Sequence, residues 1–115
     1  MQYLLAIYLE ESAWERMTPE QQQQGAAAYT AYTEALKAAK VHVNSNRLRP
    51  STTATTLRTT NGKTQVLDGP FADSKEQLAG YYLIDVPNLD AAMQWAGRCP
   101  ATQHGVVEVR AIWGM

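Results

Sequence analysis

The sequence predicts an α+β protein in which two helices cover one face of an antiparallel sheet. Three observations predict this class. Apolar runs of strand length open and close the chain, two helical patterns with start signals lie between them, and an Asn61-Gly62 pair marks a tight hairpin. The length of 115 residues is close to the commonest domain size. We therefore expect one domain over residues 1–115.

The first strand and the first helix follow from apolar patterning. Residues 3–9 are apolar at nearly every position, which is typical of a central strand covered on both faces. Thr18 is placed to cap a helix with Pro19 at its first position, and a glutamine three residues after the cap completes a capping box. This helix is predicted to end near Lys40. Its apolar stripe consists of Tyr29, Tyr32 and Leu36.

The remaining elements complete a ferredoxin-like order with an added hairpin. Asn61-Gly62 suits a type I′ turn because both residues tolerate φ > 0, and the threonine-rich strand before it buries little. The order strand, helix, strands, strand, helix, strand is a split β-α-β plan. The second strand is predicted from residue 41 to Arg49-Pro50, further strands at 54–60, 63–67, 80–86 and 106–113, and the second helix between Asn88 and Pro100.

Two helices cannot cover both faces of such a sheet. The strand at 80–86 nevertheless places Tyr81 and Leu83 on one face and Tyr82 and Ile84 on the other, so both of its faces are apolar. The uncovered face needs a partner, and a second copy of the chain is the simplest one. We therefore expect a homodimer in which two sheets meet face to face.

Charge and cysteine content exclude several classes of protein. The chain has 10 basic and 11 acidic residues without a block of like charge, so it lacks the electrostatic footprint of a nucleic-acid or membrane-surface protein. No stretch approaches the ~20 apolar residues of a membrane span. Cys99 is the only cysteine, which excludes an intrachain disulfide and favours the cytoplasm. The two histidines form no metal motif, and no cofactor is predicted.

Glu108 and Arg110 are the first candidate binding residues. They lie two apart in the last strand and so point to one face, opposite Val107 and Val109. Because the helices take the apolar side, the charged pair is predicted to point to the uncovered face. It is either a structural ion pair at the dimer interface or part of a cavity wall, where Arg110 presents its guanidinium to an anionic ligand.

The polar segment that begins at Asp68 contains further candidates. A glycine and a proline stiffen its turn, and Asp73 with Glu76 predicts a short capped turn. One interpretation is that the loop holds the Asp68 carboxylate and the Lys75 ammonium at a pocket rim, with Glu76 as a further binding residue. The other is that Asp68 only accepts hydrogen bonds from the following backbone and that Phe71 only fills the core.

His104 is the candidate general base among the histidines. It precedes the last strand and is close in sequence to Glu108, whereas His42 alternates with valines and suits a surface or hydrogen-bonded role. In a catalytic interpretation, Asp68 or His104 is the base and Arg110 clamps an anion or oxyanion. Tyr29 and Tyr32 then form pocket walls.

The motifs Asp68-Gly69-Pro70-Phe71, Lys75-Glu76-Gln77-Leu78 and Gly80-Tyr81-Tyr82 resemble the signature of the DGPF branch of the YCII-related family. The resemblance implies a dimeric α-β barrel of ferredoxin-like protomers with a cavity between or beside the sheets. Some members of this branch are found beside extracytoplasmic-function sigma factors, which suggests a partner by analogy. The wider family includes a dehydrochlorinase and proteins with a proposed catalytic His-Asp pair.

This chain departs from the family at several positions. The family's histidine and aspartate correspond to Tyr29 and Cys99, which argues against catalysis by that pair. Lys40 stands where a glycine usually ends the first helix, and Ala111 where proline is usual.

Three functions remain open from the sequence. The first is binding of a small molecule in a cavity near the dimer interface. The second is a cofactor-independent enzyme of proton-transfer or lyase type that acts on a small aromatic or anionic substrate. The third is a partner in a sigma-factor system.

Overall fold

The computed structural model describes residues 1–114 as six strands, three α-helices and two 3₁₀ turns. In chain order these are β1 Gln2–Leu9, α1 Glu11–Glu15, α2 Pro19–Ala38, β2 His42–Arg47, a 3₁₀ turn Ser51–Thr53, β3 Thr55–Thr60, β4 Lys63–Asp68, β5 Gln77–Asp85, α3 Leu89–Arg98, a 3₁₀ turn Pro100–Gln103 and β6 Val106–Ala111. No helix within residues 1–114 is both long and apolar enough to cross a membrane.

The predicted fold class is confirmed. Four strands form an antiparallel sheet in the order β2-β5-β1-β6, which is the ferredoxin-like order, and β3 pairs with β4 in a separate two-stranded sheet. The short helix α1 was not predicted, because five residues are too few for a helical period to be read from the sequence.

The core lies between the sheet and the helices. Alternate residues of β1 and β5 point to it, and Leu5, Leu36 and Ile84 are fully buried there. The ring of Tyr32 meets that of Tyr82 edge to face with 5.1 Å between centroids, which favours the pair beyond simple burial. Residues from both helices and from the two central strands thus form one cluster.

The start of α2 agrees with the prediction in detail. The Thr18 hydroxyl accepts a hydrogen bond from the Gln21 N–H, and the Gln21 side chain accepts one from the Thr18 N–H. Pro19 occupies the first helical position. At the start of α3, the Asn88 side chain accepts from the Ala91 N–H, as predicted.

The end of α2 explains one departure from the family. Lys40 adopts φ +61°, and the Val41 N–H donates to the Leu36 carbonyl while the Lys40 N–H donates to the Lys37 carbonyl. This is a Schellman motif, in which glycine is favoured because it adopts a left-handed conformation without strain. Lys40 therefore stores strain at this turn.

We expect Lys40→Gly to raise the free energy of unfolding by about 1 kcal/mol, because glycine removes the cost of the left-handed conformation. The matched control is Lys37→Gly, one turn earlier in the helix. It is expected to destabilise by about 1 kcal/mol, since glycine in a helix interior loses more backbone entropy. Denaturant titration of both variants measures the difference, and equal effects would contradict the strain argument.

The β3–β4 hairpin forms as predicted. Asn61 has φ 53° and Gly62 has φ 77°, so both turn positions adopt the left-handed conformation. The hairpin is almost wholly exposed. Its base is closed where the Gly69 N–H donates to the Ala54 carbonyl and the Thr56 hydroxyl donates to the Gly69 carbonyl.

Two expectations for the segment after the hairpin are wrong. No helical turn forms at the predicted Asp73–Glu76 capping box; the Ser74 hydroxyl donates to the Glu76 carbonyl instead, which closes the segment as an irregular bend. Phe71 does not fill the core, because its side chain is 72% exposed. The Arg58 guanidinium lies over its ring at 5.3 Å, so the phenyl group packs against the hairpin rather than the sheet.

The uncovered face of the sheet carries the charged pair, as its register requires. Arg110 lies opposite Leu4 and Glu108 opposite Ala6, and the two side chains bond to each other at 3.1 Å. Leu4 also faces Leu83 across the next strand. The last strand ends at Ala111 and not at residue 113 as predicted, so Trp113 lies beyond it and is 90% exposed.

Candidate functional site

A cavity of about 570 Å³ lies on the helix-covered side of the sheet, between α1, α2 and the strands β1, β5 and β2. We call it the α2 cavity. Its floor includes Ile7 and Gly80, and α2 contributes Tyr29 and Thr33. The strands β5 and β2 pair with each other beneath the cavity, with Gly80 opposite Arg47, so the floor is a continuous sheet.

The short helix α1 forms the outer wall of this cavity. Trp14 packs against Gly25 of α2, where an added Cβ would lie 3.1 Å from the indole. The Arg47 guanidinium lies over the same indole, 5.0 Å from its centroid. Glu11 fixes the start of the helix, because its carboxylate accepts the Ser51 N–H at 2.9 and 3.1 Å. The wall is therefore held from both α2 and β2.

The Tyr29 hydroxyl is the unusual group of the cavity. Its oxygen is buried and has no hydrogen-bond partner among residues 1–114. Burial raises the pKa of Tyr29 well above its usual range, so the group stays a protonated donor at neutral pH. A buried polar atom without a hydrogen-bond partner lowers the free energy of unfolding by about 1–3 kcal/mol. Such atoms are rare in native proteins, so this hydroxyl calls for an explanation.

The hydroxyl groups near Tyr29 all have hydrogen-bond partners. The Thr33 hydroxyl donates to the Tyr29 carbonyl at 2.9 Å and is within 2.8 Å of the Tyr82 hydroxyl. Tyr32 donates to the Trp95 carbonyl at 2.7 Å. Burial also raises the pKa of Tyr32, Tyr82 and Cys99, so this cluster is held protonated and neutral.

The structure separates the predicted site residues. Tyr29 lines the α2 cavity, whereas Tyr32 lies in the core beside it. Lys75 and Glu76 line a shallow depression with Tyr8 and Val106. The other candidates, which are exposed and line neither concavity, are Asp68, His104, Glu108 and Arg110.

A pocket that Asp68, His104 and Arg110 share would favour the catalytic interpretation. Among residues 1–114, no hydrogen bond or ion pair joins any two of them, and Arg110 is bonded to Glu108. Their roles stay predictions. Of the surface or hydrogen-bonded role predicted for His42, the structure shows the hydrogen bond, to the Ser45 hydroxyl at 2.8 Å.

Three residues of the cavity could not be identified as site residues from the sequence. Trp14 lies on a helix too short to show a period, and Arg47 ends an edge strand without a distinctive pattern. Tyr82 was assigned only to a strand face. The lack of a hydrogen-bond partner for the Tyr29 hydroxyl also cannot be predicted from the sequence, because it depends on which groups the tertiary structure brings near the hydroxyl.

Comparison with known proteins gives a family and a fold. The YCII-related domain matches residues 1–115. The uncharacterized protein R00369 of Rhizobium meliloti (strain 1021) is 43% identical over 100 residues, which cover 84% of this chain and 77% of that protein.

One similar solved structure is the 5-chloro-2-hydroxyhydroquinone dehydrochlorinase (TftG) of Burkholderia phenoliruptrix AC1100 in complex with 2,5-dihydroxybenzoquinone. The superposition has a TM-score of 0.56 and covers 98% of this chain and 94% of that chain. With 16% sequence identity, the likeness concerns the fold alone.

Proposed function

This chain belongs to the YCII-related family, and from that premise we propose that it binds a small organic molecule in the α2 cavity. The observation that carries the proposal is the Tyr29 hydroxyl, which is buried at the cavity wall without a partner. A ligand oxygen or nitrogen that displaces the groups covering this oxygen and bonds to it would remove the cost of the orphaned hydroxyl. We infer also that the chain belongs to the DGPF branch, on the motif that begins at Asp68.

The size and lining of the cavity support this proposal. About 570 Å³ falls within the 300–1,000 Å³ typical of small-molecule sites. Its walls combine aromatic surface from Trp14 and Tyr82 with charged side chains, the arginines Arg47 and Arg49 and the exposed glutamates Glu15 and Glu34. In small-molecule sites, aromatic surface supplies apolar contact and polar groups fix the orientation of the ligand.

The protonated state of the buried groups near the cavity favours binding over catalysis. Tyr29, Tyr82 and Cys99 all hold their protons at neutral pH because burial raises each pKa. The Glu11 carboxylate already accepts the Ser51 N–H. None of these four groups is suited to abstract a proton, which leaves the exposed carboxylates of Glu15 and Glu34 as the proton acceptors on the cavity lining.

An enzyme of proton-transfer or lyase type is the second candidate, favoured by the dehydrochlorinase with the similar fold. Incubating this protein with a ligand found by binding, followed by mass spectrometry, separates the two functions. Recovery of unchanged ligand after prolonged incubation supports binding alone. Turnover that is lost in Asp68→Asn or His104→Gln would support the enzyme.

We expect Tyr29→Phe to have opposite effects on stability and on binding. Removal of the orphaned hydroxyl should raise the free energy of unfolding of the ligand-free protein by about 1 kcal/mol. The same change should weaken ligand binding roughly tenfold, because the ligand loses its anchoring bond. Thermal unfolding with hydroxylated benzenes and quinones, beginning with 2,5-dihydroxybenzoquinone, measures both effects.

Tyr32→Phe is the matched control for this test. Its hydroxyl is bonded to the Trp95 carbonyl, so its removal should destabilise the protein by about 1–2 kcal/mol and leave affinity unchanged. If Tyr29→Phe also destabilises, or binds every probe as the natural chain does, the proposed role of Tyr29 is wrong.

A second copy of the chain is the proposed partner at the uncovered face. Leu4 and Leu83 meet there, and the chain has a radius of gyration of 16.1 Å, whereas a compact domain of this length has about 13 Å. A face-to-face dimer would cover this apolar surface. We expect sedimentation at micromolar concentration to give twice the mass of the chain, and Leu83→Asp to give a folded monomer. A natural chain that sediments as a monomer would refute the dimer.

Two further predictions rest on the sequence and on family analogy. They are a cytoplasmic location and association with an extracytoplasmic-function sigma factor system. Subcellular fractionation tests the first. Co-purification with such a factor tests the second.

A further inference from the structure

The outer side of β6 carries backbone hydrogen-bonding groups without a partner strand within residues 1–114. β6 ends the strand order β2-β5-β1-β6, so it pairs only with β1. In an antiparallel pair, successive residues turn their N–H and C=O groups alternately toward the partner strand and away from it. The Ile112 N–H donates to the Gln2 carbonyl, so the even positions of β6 turn toward β1. The odd positions turn away from β1, and their backbone groups form what we call the β6 edge: Val107, Val109 and Ala111.

The two outer strands of the sheet are protected to different degrees. Native proteins protect a free edge with a bulge, a proline or a lysine, because an unprotected edge is a template for pairing with another chain. β2, at the opposite side, has a register shift between His42 and Asn44. β6 pairs with β1 over six residues without a shift and contains neither proline nor lysine. Within residues 1–114, no turn or loop hydrogen bond reaches the β6 edge, so it is the edge open to pairing.

The charges on β6 are complementary to those of a second copy of the same strand. An antiparallel β6 pair across a two-fold axis at Val109 places Glu108 directly opposite Arg110 of the second copy. The axis repeats that contact, so one pairing forms two pairs of opposite charge. Both occur at positions whose backbone turns toward β1, and such non-hydrogen-bonded positions bring facing side chains closest.

The same charges disfavour the neighbouring registers. Edge groups would still face edge groups with the axis at Glu108 or at Arg110, because they occupy every second residue. Either register, however, would set a charge opposite its own copy, and directly opposed like charges are destabilising. An axis further along the strand leaves both charges without an opposite one and shortens the pairing. Of these registers, the axis at Val109 alone gives each charge an opposite charge.

We propose that β6 of a second copy adds to the β6 edge in antiparallel register about Val109, which joins two four-stranded sheets into one of eight strands. The proposed face-to-face dimer uses the uncovered face instead, so both contacts fit in one assembly and together link dimers into tetramers. A single strand pair buries little surface, which places this contact among the weak interfaces. It therefore forms at higher concentration than the face-to-face dimer. This inference does not depend on a ligand of the α2 cavity.

The test measures mass against concentration in the Leu83→Asp variant, in which the face-to-face contact is disrupted. Sedimentation equilibrium at low ionic strength covers about 10 μM to about 1 mM, a range suited to a weak interface. We expect the mass of one chain at the lower limit and a rise toward twice that mass at the upper limit. Added salt should weaken the association, because exposed charges are screened.

Charge exchange tests the proposed register. Glu108→Arg or Arg110→Glu alone sets like charges opposite each other and should weaken the association about tenfold. The double variant Glu108→Arg/Arg110→Glu restores opposite charges and should recover most of the original affinity. Lys63→Glu is the matched control, because it changes the net charge as Arg110→Glu does but lies on the exposed hairpin. It should leave the association unchanged.

Ala111→Pro tests the backbone pairing by itself. Proline lacks an N–H, and the N–H of Ala111 turns away from β1, so the change removes a donor of the β6 edge without removing a bond to β1. The association should weaken at least about tenfold. Ala111→Thr keeps the N–H and is the control. Hydrogen exchange adds a residue-level readout, since the amides of Val107 and Val109 should exchange more slowly at the upper concentration than at the lower one.

Three outcomes would overturn the inference. The first is a Leu83→Asp chain that keeps the mass of one chain at the upper concentration. The second is association that neither Ala111→Pro nor a single charge reversal weakens, which would assign it to another surface. The third is a double charge exchange that associates as weakly as the single reversals. If Leu83→Asp does not fold, the same substitutions in the natural chain, whose mass should double over this range, decide the question. None of these outcomes bears on binding in the α2 cavity.

Discussion

Replacing Gly105 with alanine is expected to lower the free energy of unfolding by about 3 kcal/mol, a large fraction of the total stability of a small domain. An alanine Cβ at this position would lie closer than 3.0 Å to the Tyr8 carbonyl oxygen and 2.8 Å from Leu9 Cδ2. The first neighbour is backbone of the central strand and cannot rotate away. Relief therefore requires β6 to separate from β1 at the residue where their pairing begins.

Gly97→Ala is the matched control for this prediction. Gly97 lies in α3, and an added Cβ there meets no atom within 4 Å. The same chemical change should therefore stabilise the protein by about 0.8–1.0 kcal/mol through helix propensity. Thermal or denaturant unfolding of the two variants should show shifts of opposite sign. A Gly105→Ala protein as stable as the natural chain would mean that the β1–β6 contact is looser than the structure has it.

Local chemistry made part of this fold predictable. The Asn61-Gly62 pair fixes the hairpin because both residues accept positive φ, and Thr18 with Pro19 fixes the start of α2. The alternation in the last strand placed Glu108 and Arg110 on the uncovered face correctly, since a strand has a strict period of two. These features depend only on residues that are near one another in the sequence.

The candidate site could not be predicted in the same way. Trp14, Tyr29, Arg47 and Tyr82 are widely separated in the sequence, and they share a cavity only because α1 folds back over the edge of the sheet. The sequence instead drew attention to the segment after Asp68, where polar residues are dense. Polar residues are favoured in exposed turns for local structural reasons, so their density in this segment does not by itself indicate a functional site.

The substitution of the family's His-Asp pair has a physical counterpart in the structure. The resemblance implies that Tyr29 and Cys99 stand at the corresponding positions; Cys99 is buried and contributes to raising the pKa of Tyr29. By that correspondence, a histidine, which titrates near neutrality, and an aspartate, which is ordinarily ionised there, are replaced by two groups that remain protonated. Tyr29 thus provides a protonated hydrogen-bond donor at this position of α2.

The second large effect is expected for Leu36→Ala, which should cost about 2–5 kcal/mol of unfolding free energy. Leu36 is fully buried, one turn after Tyr32 on the stripe that attaches α2 to the sheet. Truncation leaves a void in a close-packed core, and alanine's better helix propensity offsets only a few tenths of a kcal/mol. We expect the midpoint of thermal unfolding to fall by roughly 10 °C or more.

Leu89→Ala is the control, because Leu89 begins α3 with half of its surface exposed and should cost less than about 1 kcal/mol. The comparison also tests how the α2 cavity is held. Tyr29 and Leu36 lie two turns apart on one helix, so a helix that detaches at Leu36 would expose the Tyr29 hydroxyl to water and remove its cost. In the Leu36→Ala background, Tyr29→Phe should then no longer stabilise the protein. If it stabilises both backgrounds equally, the burial of the hydroxyl does not depend on the packing of this helix.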